Sequence, residues 1–252
     1  MKKHSLILIL LLIAGMVNAQ DREESTKTES SVSDPGKNLI KINLLALPLR
    51  NYSLGLEHKL GRKVTAGIGF RFMPTGGLPL MSTIKNLIDD PAADKQLDQF
   101  ETSNTAITPE IRFYLGKQAM RGFYLAPFAR YSTYKASLPL EFDVNGTTQT
   151  MPLSGKLNTL TGGLLIGAQW KLGGRLYLDW WMLGPQYGSA DGKLDGKRSL
   201  STDEQRELRL ELQDLEIPFA ETTTTVDANG AHLDIKGPWA GVRAGLNLGI
   251  RF

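Results

Sequence analysis

The sequence predicts an all-β fold: a transmembrane, up-and-down antiparallel β-barrel of eight strands, with short helices in the loops at one end. Three observations carry this reading. First, residues 239–252 alternate without a break. Ala240, Val242, Ala244, Leu246, Leu248, Ile250 and Phe252 are apolar, and between them stand Gly241, Arg243, Gly245, Asn247, Gly249 and Arg251. Successive side chains of a strand point to opposite faces, so one face of this segment is oily and the other polar or bare. Second, segments of the same kind recur along residues 38–252, joined by connections that alternate short and long. Third, the chain opens with an export-type segment ahead of any strand.

In that opening segment Lys2, Lys3 and His4 form a basic head, residues 6–17 an apolar run, and Val17, Asn18 and Ala19 a small-residue cleavage site before Gln20. The run is too short to span a bilayer as a helix, so residues 1–19 read as a signal peptide. Residues 20–37 are charged, rich in Ser and Thr and nearly free of apolar side chains, and read as a disordered periplasmic leader. Residues 38–252 are the barrel domain.

Strand one alternates over Ile40, Ile42, Leu44 and Ala46 until Pro48 breaks it. Strand two covers 52–60 and ends on the tight-turn pair Gly61-Arg62. Strand three covers 64–72. Residues 73–104 lose the alternation and hold two short helical stretches, around 81–88 and 92–100. Strand four runs over about 106–116 and strand five from 122 to about 135; Pro109 and Pro127 each remove a ladder donor from them. Residues 136–157 read as a loop or strand extension with Asn145-Gly146 at its tip. Strand six covers roughly 158–172, Gly173-Gly174 turns the chain, strand seven follows over 175–182, a third long insertion spans 184–237, and strand eight closes the set. An even strand number with short turns at one end and long loops at the other is the pattern of bacterial outer-membrane barrels. Closure also removes the unpaired edges that hydrocarbon penalises heavily.

Charge divides along the same lines. The 26 acidic residues crowd into the leader and the long connections, and the strands and short turns keep only Glu57, Glu110 and Asp179. Eight bases gather towards the short-turn rim: Lys59, Arg62, Lys63, Lys117, Arg121, Lys171, Arg175 and Arg251. Anionic headgroups attract such residues by about 1 kcal/mol each. On the inward rows, Arg71, Arg130 and Arg243 should occupy the outer half of the lumen, with Arg112 deeper, Glu110 between them and Asp179 in the same cluster. Eight strands enclose an interior only just wide enough for side chains, so an internal salt-bridge network is the plain expectation. A site for an anionic solute or a lipid phosphate is the sharper one. Tyr52, Tyr131, Trp170, Trp180 and Trp239 are expected in aromatic girdles at the two interfaces.

Other chemistry is sparse. The chain has no cysteine and only His4, His58 and His232, which excludes disulfides, thiol catalysis and Cys-ligated metals. No cofactor and no metal site are expected; hydrolysis would require a His beside a Ser or an acid on one face, and His58 is expected to point outward near the short-turn end while His232 falls in a loop. The near balance of 29 Lys+Arg against 26 Asp+Glu gives no nucleic-acid footprint. Ser201 and Glu204 form a capping box ahead of an amphipathic stretch, 205–217, in which Leu208, Leu212 and Leu215 share a face. That stripe is expected to pack on the barrel rim or the other loops.

The strands at 109–116 and 122–131, and the terminal strand ending in Phe252, resemble those of small bacterial outer-membrane β-barrels of uncharacterised function, and broadly those of the eight-stranded OmpA and OmpX barrels. The resemblance covers about 38–252. It implies residence in the cell outer membrane and contact with its lipids, and it implies insertion by the barrel-assembly machinery through the terminal aromatic, Phe252. It implies no catalytic residue. The expected function is therefore a non-enzymatic, structural or surface-interaction role through long acidic extracellular loops, with a protein or polysaccharide partner there. A narrow pore or an anion- or lipid-phosphate-binding barrel is the alternative, and a lipid-modifying barrel enzyme the further one.

Overall fold

The computed structural model describes residues 36–81, 98–144, 146–213 and 219–252. The expected signal peptide, nearly all of the leader, most of both helical stretches in 73–104, and Leu215 lie outside these residues. The elements are β1 (Asn38–Asn43), a 3-10 turn (Leu47–Leu49), β2 (Tyr52–Lys59), β3 (Val64–Gly76), β4 (Glu101–Tyr114), β5 (Gly122–Val144), β6 (Thr147–Gly173), β7 (Leu176–Lys197), α1 (Thr202–Gln213), β8 (Glu221–Asp227) and β9 (Gly230–Arg251). Each strand of the ring pairs with the next, β7 pairs with β9, and β9 pairs back onto β1, so eight antiparallel strands close into a barrel. The closing seam is bonded from Asn38 N–H to the Phe252 carbonyl at 2.9 Å and from Phe252 N–H to the Asn38 carbonyl at 2.8 Å. β8 is a ninth strand, added to the far part of β9.

The wall is inverted relative to a water-soluble protein. Leu54, Phe70 and Ile107 stand outward and are 54%, 52% and 44% exposed, whereas Glu57, Arg112 and Asp179 on the inward rows are fully buried. The period-2 pattern therefore separates oil outside from charge inside, which is where a hydrocarbon solvent would put them.

Of the two readings of 136–157, the strand extension holds: β5 and β6 pair without interruption out to Val144 and Thr147. Two corrections to strand length follow. Residues 184–197 belong to β7 and 230–238 to β9. The third insertion is thus mostly sheet, completed by α1 and β8. Asp191 to Gly196, which weakly resembles a calcium loop, is strand as well. Pro139 and Pro152 face each other in the β5–β6 ladder. Each sits just beyond its other neighbour's end, since β4 stops opposite Ser137 and β7 stops opposite Leu153, so neither missing N–H leaves a gap in a ladder.

This outer extension has its own core. Leu208 and Leu212 of α1 are buried with Met151, Leu153, Leu200, Val226 and Ala231. The helix lays its apolar stripe on the extended sheet, as the sequence leads one to expect. Its start is the capping box: Ser201 N–H donates to Glu204 Oε2 at 2.7 Å, and Glu204 N–H donates to Ser201 Oγ at 3.3 Å.

The opposite end is sealed. Met120, in the turn between β4 and β5, is fully buried with Leu39 and Tyr177. It holds a left-handed φ of 64°. That conformation costs a non-glycine residue about 1–2 kcal/mol. Burying the thioether chain returns an amount of the same order, about 1.5–3 kcal/mol. Arg251, grouped above with the rim bases, instead turns inward and donates to the Gly36 carbonyl at 2.9 Å and to the Tyr177 hydroxyl at 3.0 Å.

Loss of the cap in Ser201→Ala should cost about 1 kcal/mol. Hydrogen exchange across α1 is then expected to quicken about fivefold while β2 and β3 stay protected. Acid should act in the same direction. The hydrogen bond from the Ser201 backbone holds the Glu204 carboxyl below its ordinary value. Its contribution is thus present above the unfolded-chain carboxylate range and lost as pH falls through the lowered value. Wild-type α1 should lose protection through that window, and Glu204→Gln should show no such step.

Candidate functional site

The middle of the lumen is filled by three cations and three carboxylates, delivered by five strands. Lys41 from β1 donates to Glu57 Oε2 of β2 and to Asp179 Oδ2 of β7, both at 2.7 Å. Arg112 from β4 donates through Nη1 to Asp179 Oδ2 at 2.8 Å and through Nε to Glu110 Oε1 at 2.6 Å. Glu110 then accepts Arg243 Nη1 from β9 at 2.6 Å on its other oxygen. The remaining strands supply neutral partners. Thr65 of β3 donates to Glu57 at 2.7 Å, Tyr124 of β5 to Asp179 at 2.6 Å, and Gln169 of β6 accepts Arg112 Nη1 at 3.1 Å. Every strand of the ring therefore contributes a side chain to one network. The Arg112 guanidinium also lies 4.4 Å from the Tyr124 ring centroid, and that of Arg243 4.0 Å from a Trp181 ring.

Bare positions on the inward rows make room for it. A Cβ on Gly67 would come within 3.0 Å of the Glu110 side chain, and one on Gly167 would run into the Tyr124 phenol. An irregularity in β7 between Trp181 and Gly184 leaves Met182 and Leu183 both outside, 37% and 51% exposed, while Trp181 is buried within. The extra residue re-aims the strand, which is what a bulge does.

Of the six lumen residues singled out from the sequence, Glu110, Arg112, Asp179 and Arg243 meet in this network, with Glu110 bridging Arg112 and Arg243. Arg71 and Arg130 do not. They line a cavity of about 270 Å³ next to Arg243 and Trp181. Among the described residues neither has an acidic partner. The Nε atoms of both are buried without a hydrogen-bond acceptor. Tyr134 is the polar neighbour they share. The lumen is thus neutralised at its centre and left cationic above it.

Tyr52, Tyr131 and Trp170 lie on the outer wall, 51%, 48% and 39% exposed. Trp180 is on the outward row of β7 and half-buried. Trp239 differs from expectation. It shares the inward row of Arg243, and its ring lies 5.4 Å from that of Tyr134 inside the barrel, not in a girdle. Phe252 ends the closing strand, 53% exposed. Sequence reasoning missed Lys41, Tyr114, Tyr124 and Gln169 as members of the network, and noted Glu57 only as one of three strand acids. All are on inward rows. His232 is outside the lumen, between Asp195 and Asp234, 3.2 Å from the latter. No cluster that would hold a metal ion occurs among the described residues.

A closed eight-stranded antiparallel barrel with an ion-paired interior is the class of protein these features define. The chain belongs to the family described as protein of unknown function (DUF3575), whose model matches residues 6–189. No curated protein matches it. Among solved structures it is similar to the translocator domain of autotransporter NalP from Neisseria meningitidis, at 12% identity and a TM-score of 0.34, over 88% of this chain and 90% of that one.

Removing one partner from a buried ion pair costs about 3–5 kcal/mol. Asp179→Asn in the network should lower the urea midpoint of vesicle-refolded protein accordingly. Arg130→Gln, which breaks no ion pair among the described residues, should leave the midpoint unchanged or raise it. Equal losses in the two variants would disprove the division of the lumen into a paired centre and an unpaired upper part.

Proposed function

We propose that this chain is an integral, non-enzymatic barrel of the bacterial outer membrane, exported by its signal peptide and inserted through Phe252, with a rigid extension that meets a protein or polysaccharide at the cell surface. The observation that carries the reading is the inverted wall: an oily exterior around a charged, mutually neutralised interior is stable in lipid and costly in water. The short turns and both ends of the barrel domain would then face the periplasm, and β5, β6, β7 and β9 would project beyond the bilayer, since about 9–11 tilted residues suffice to cross it.

Occlusion favours this reading over a pore. Met120, Leu39 and Tyr177 block the base, and the ion-paired network blocks the middle. The absence of catalysis is part of the same proposal. The three buried carboxylates are committed to cations; His58, next to Glu57 in the chain, is on the opposite face of β2 beside Asn38, and His232 lies outside the lumen with Asp195 and Asp234. The role at the surface falls to the extension, whose helix is held by its own core rather than left as a loose loop.

Electrophoresis of membrane-extracted protein before and after boiling tests the barrel. A faster unboiled band is expected, and identical mobility would remove the reading. Ile68→Arg, central on an outward row, should cost about 2–4 kcal/mol in bilayers. Planar-bilayer recordings should show no unitary current, and a steady open conductance would restore the pore.

A further inference from the structure

The barrel wall is not of even height. β7 pairs with β9 along nearly its whole length. The other edge of β9 is covered in two places only. β1 pairs with Asn247 to Arg251, with Leu44 reaching Leu246, and β8 pairs with Gly230 to Lys236. Among the described residues no strand pairs with that edge over 238–245. Opposite it stands the β1–β2 connection, residues 44–51, held to the top of β3 by Arg50, which donates to the carbonyls of Pro74, Thr75 and Gly77. By distance along β9 from the base, the lower part of this gap, residues 241–245, lies in the outer half of a span of about 9–11 residues. Non-strand backbone and open edges are tolerated at that depth only where they line a polar cavity. The 270 Å³ cavity fits that requirement. Its lining runs from Leu45 and Leu49 on one bank of the gap and Val242 and Ala244 on the other to Arg71 and Arg130 inside.

We propose that this gap is a lateral port for an anionic amphiphile: a phosphate or carboxylate headgroup enters from the surrounding lipid and is met by Arg71 and Arg130, while its alkyl chain stays against Leu45, Leu49 and Val242. The proposal rests on the membrane reading above. Two buried Nε–H groups lack an acceptor, and among the described residues no carboxylate neutralises either guanidinium, so the complement they require is an oxyanion, which Arg binds in a planar, two-bonded fashion. The bank residues are apolar and exposed, Leu45 by 59%, Leu49 by 40% and Val242 by 66%, so the complement they require is a hydrocarbon chain. The cavity has room for a headgroup and a few methylenes, not for a whole lipid. A second copy pairing edge to edge would satisfy the backbone and leave both guanidinium groups unmet.

The test uses full-length protein extracted in the neutral detergent dodecyl maltoside, with dodecyl phosphate as the probe and inorganic phosphate as competitor, read by native mass spectrometry and calorimetry. Wild type should bind one dodecyl phosphate saturably, and equimolar inorganic phosphate should not displace it. Arg71→Gln/Arg130→Gln should bind at least tenfold more weakly while keeping its boiling-dependent mobility. Val242→Trp, which fills one bank without touching an arginine, should weaken binding to a similar degree. No saturable binding, undiminished binding by either variant, or displacement by inorganic phosphate alone would overturn the port. If the double variant loses its mobility shift, Val242→Trp and the competition decide. A barrel that shifts on boiling but binds nothing defeats this inference and leaves the membrane reading standing.

Discussion

At the middle of the barrel eight strands enclose too little space for water to solvate a buried charge, so each charge there is neutralised by another side chain. This constraint governs the rest of the molecule. Lys41 lies between Glu57 and Asp179, Arg112 between Asp179 and Glu110, and Glu110 between Arg112 and Arg243. The six groups come from β1, β2, β4, β7 and β9, and although Lys41–Glu57 lies within the β1–β2 hairpin and Glu110–Arg112 within β4, the Lys41–Asp179, Arg112–Asp179 and Glu110–Arg243 pairs join strands far apart in the chain. Closing the β1–β9 seam brings Lys41 to Asp179 and Arg243 to Glu110 in one event. Closure and neutralisation therefore stabilise each other, and a partly closed sheet would present unpaired charge as well as an open edge.

Much of this was legible in the sequence because an oily outer wall and a packed polar lumen impose opposite demands on alternate residues. Wherever the wall is oily outside, as at Ile68, Phe70 and Phe72, the strand announces itself. The same reasoning is undecided at 136–157 and fails at 184–197 and 230–238, because there the outward face no longer needs an oily row and the other face is partly covered by α1. With neither solvent enforcing contrast, a strand looks like a loop. Trp239 was misplaced for a different reason: its residue type favours a girdle, but its parity with Arg243 sets it inside, and parity decides. Lys41 shows the limit of the method. Its inward orientation follows from the pattern, but its meeting with Asp179, 138 residues away, depends on the stagger between strands, which alternation alone does not encode.

The wall's uneven height follows from the same logic. β1 is six residues long and β6 twenty-seven. The long strands are stable beyond the point where β1 stops because they pair with each other and carry the α1 core, in which Met151 and Leu208 are both fully buried. The short β1–β2 hairpin has no such support and ends in the apolar connection 44–51, and Asn43 closes its last turn by accepting the Ala46 N–H at 3.2 Å. The barrel is accordingly a complete cylinder near its base and an incomplete one above.

Stability and chemistry are separable along the barrel axis. Near the base, Met120, Leu39 and Tyr177 close the lumen, and the network pairs each of its charges with an opposite one. Above, Arg71 and Arg130 add buried charge that no described residue balances, so they lower the stability of the isolated chain instead of raising it. A wall built only to hold the network would be more stable with neutral side chains at both positions. What these arginines favour is an arrangement with an anion present. Among the described residues, the β9 edge at residues 238–245, next to the cavity they line, pairs with no strand. The unbalanced charge and the missing backbone partner thus fall at the same height on the same side of the barrel, and a single polar headgroup with an apolar tail satisfies both.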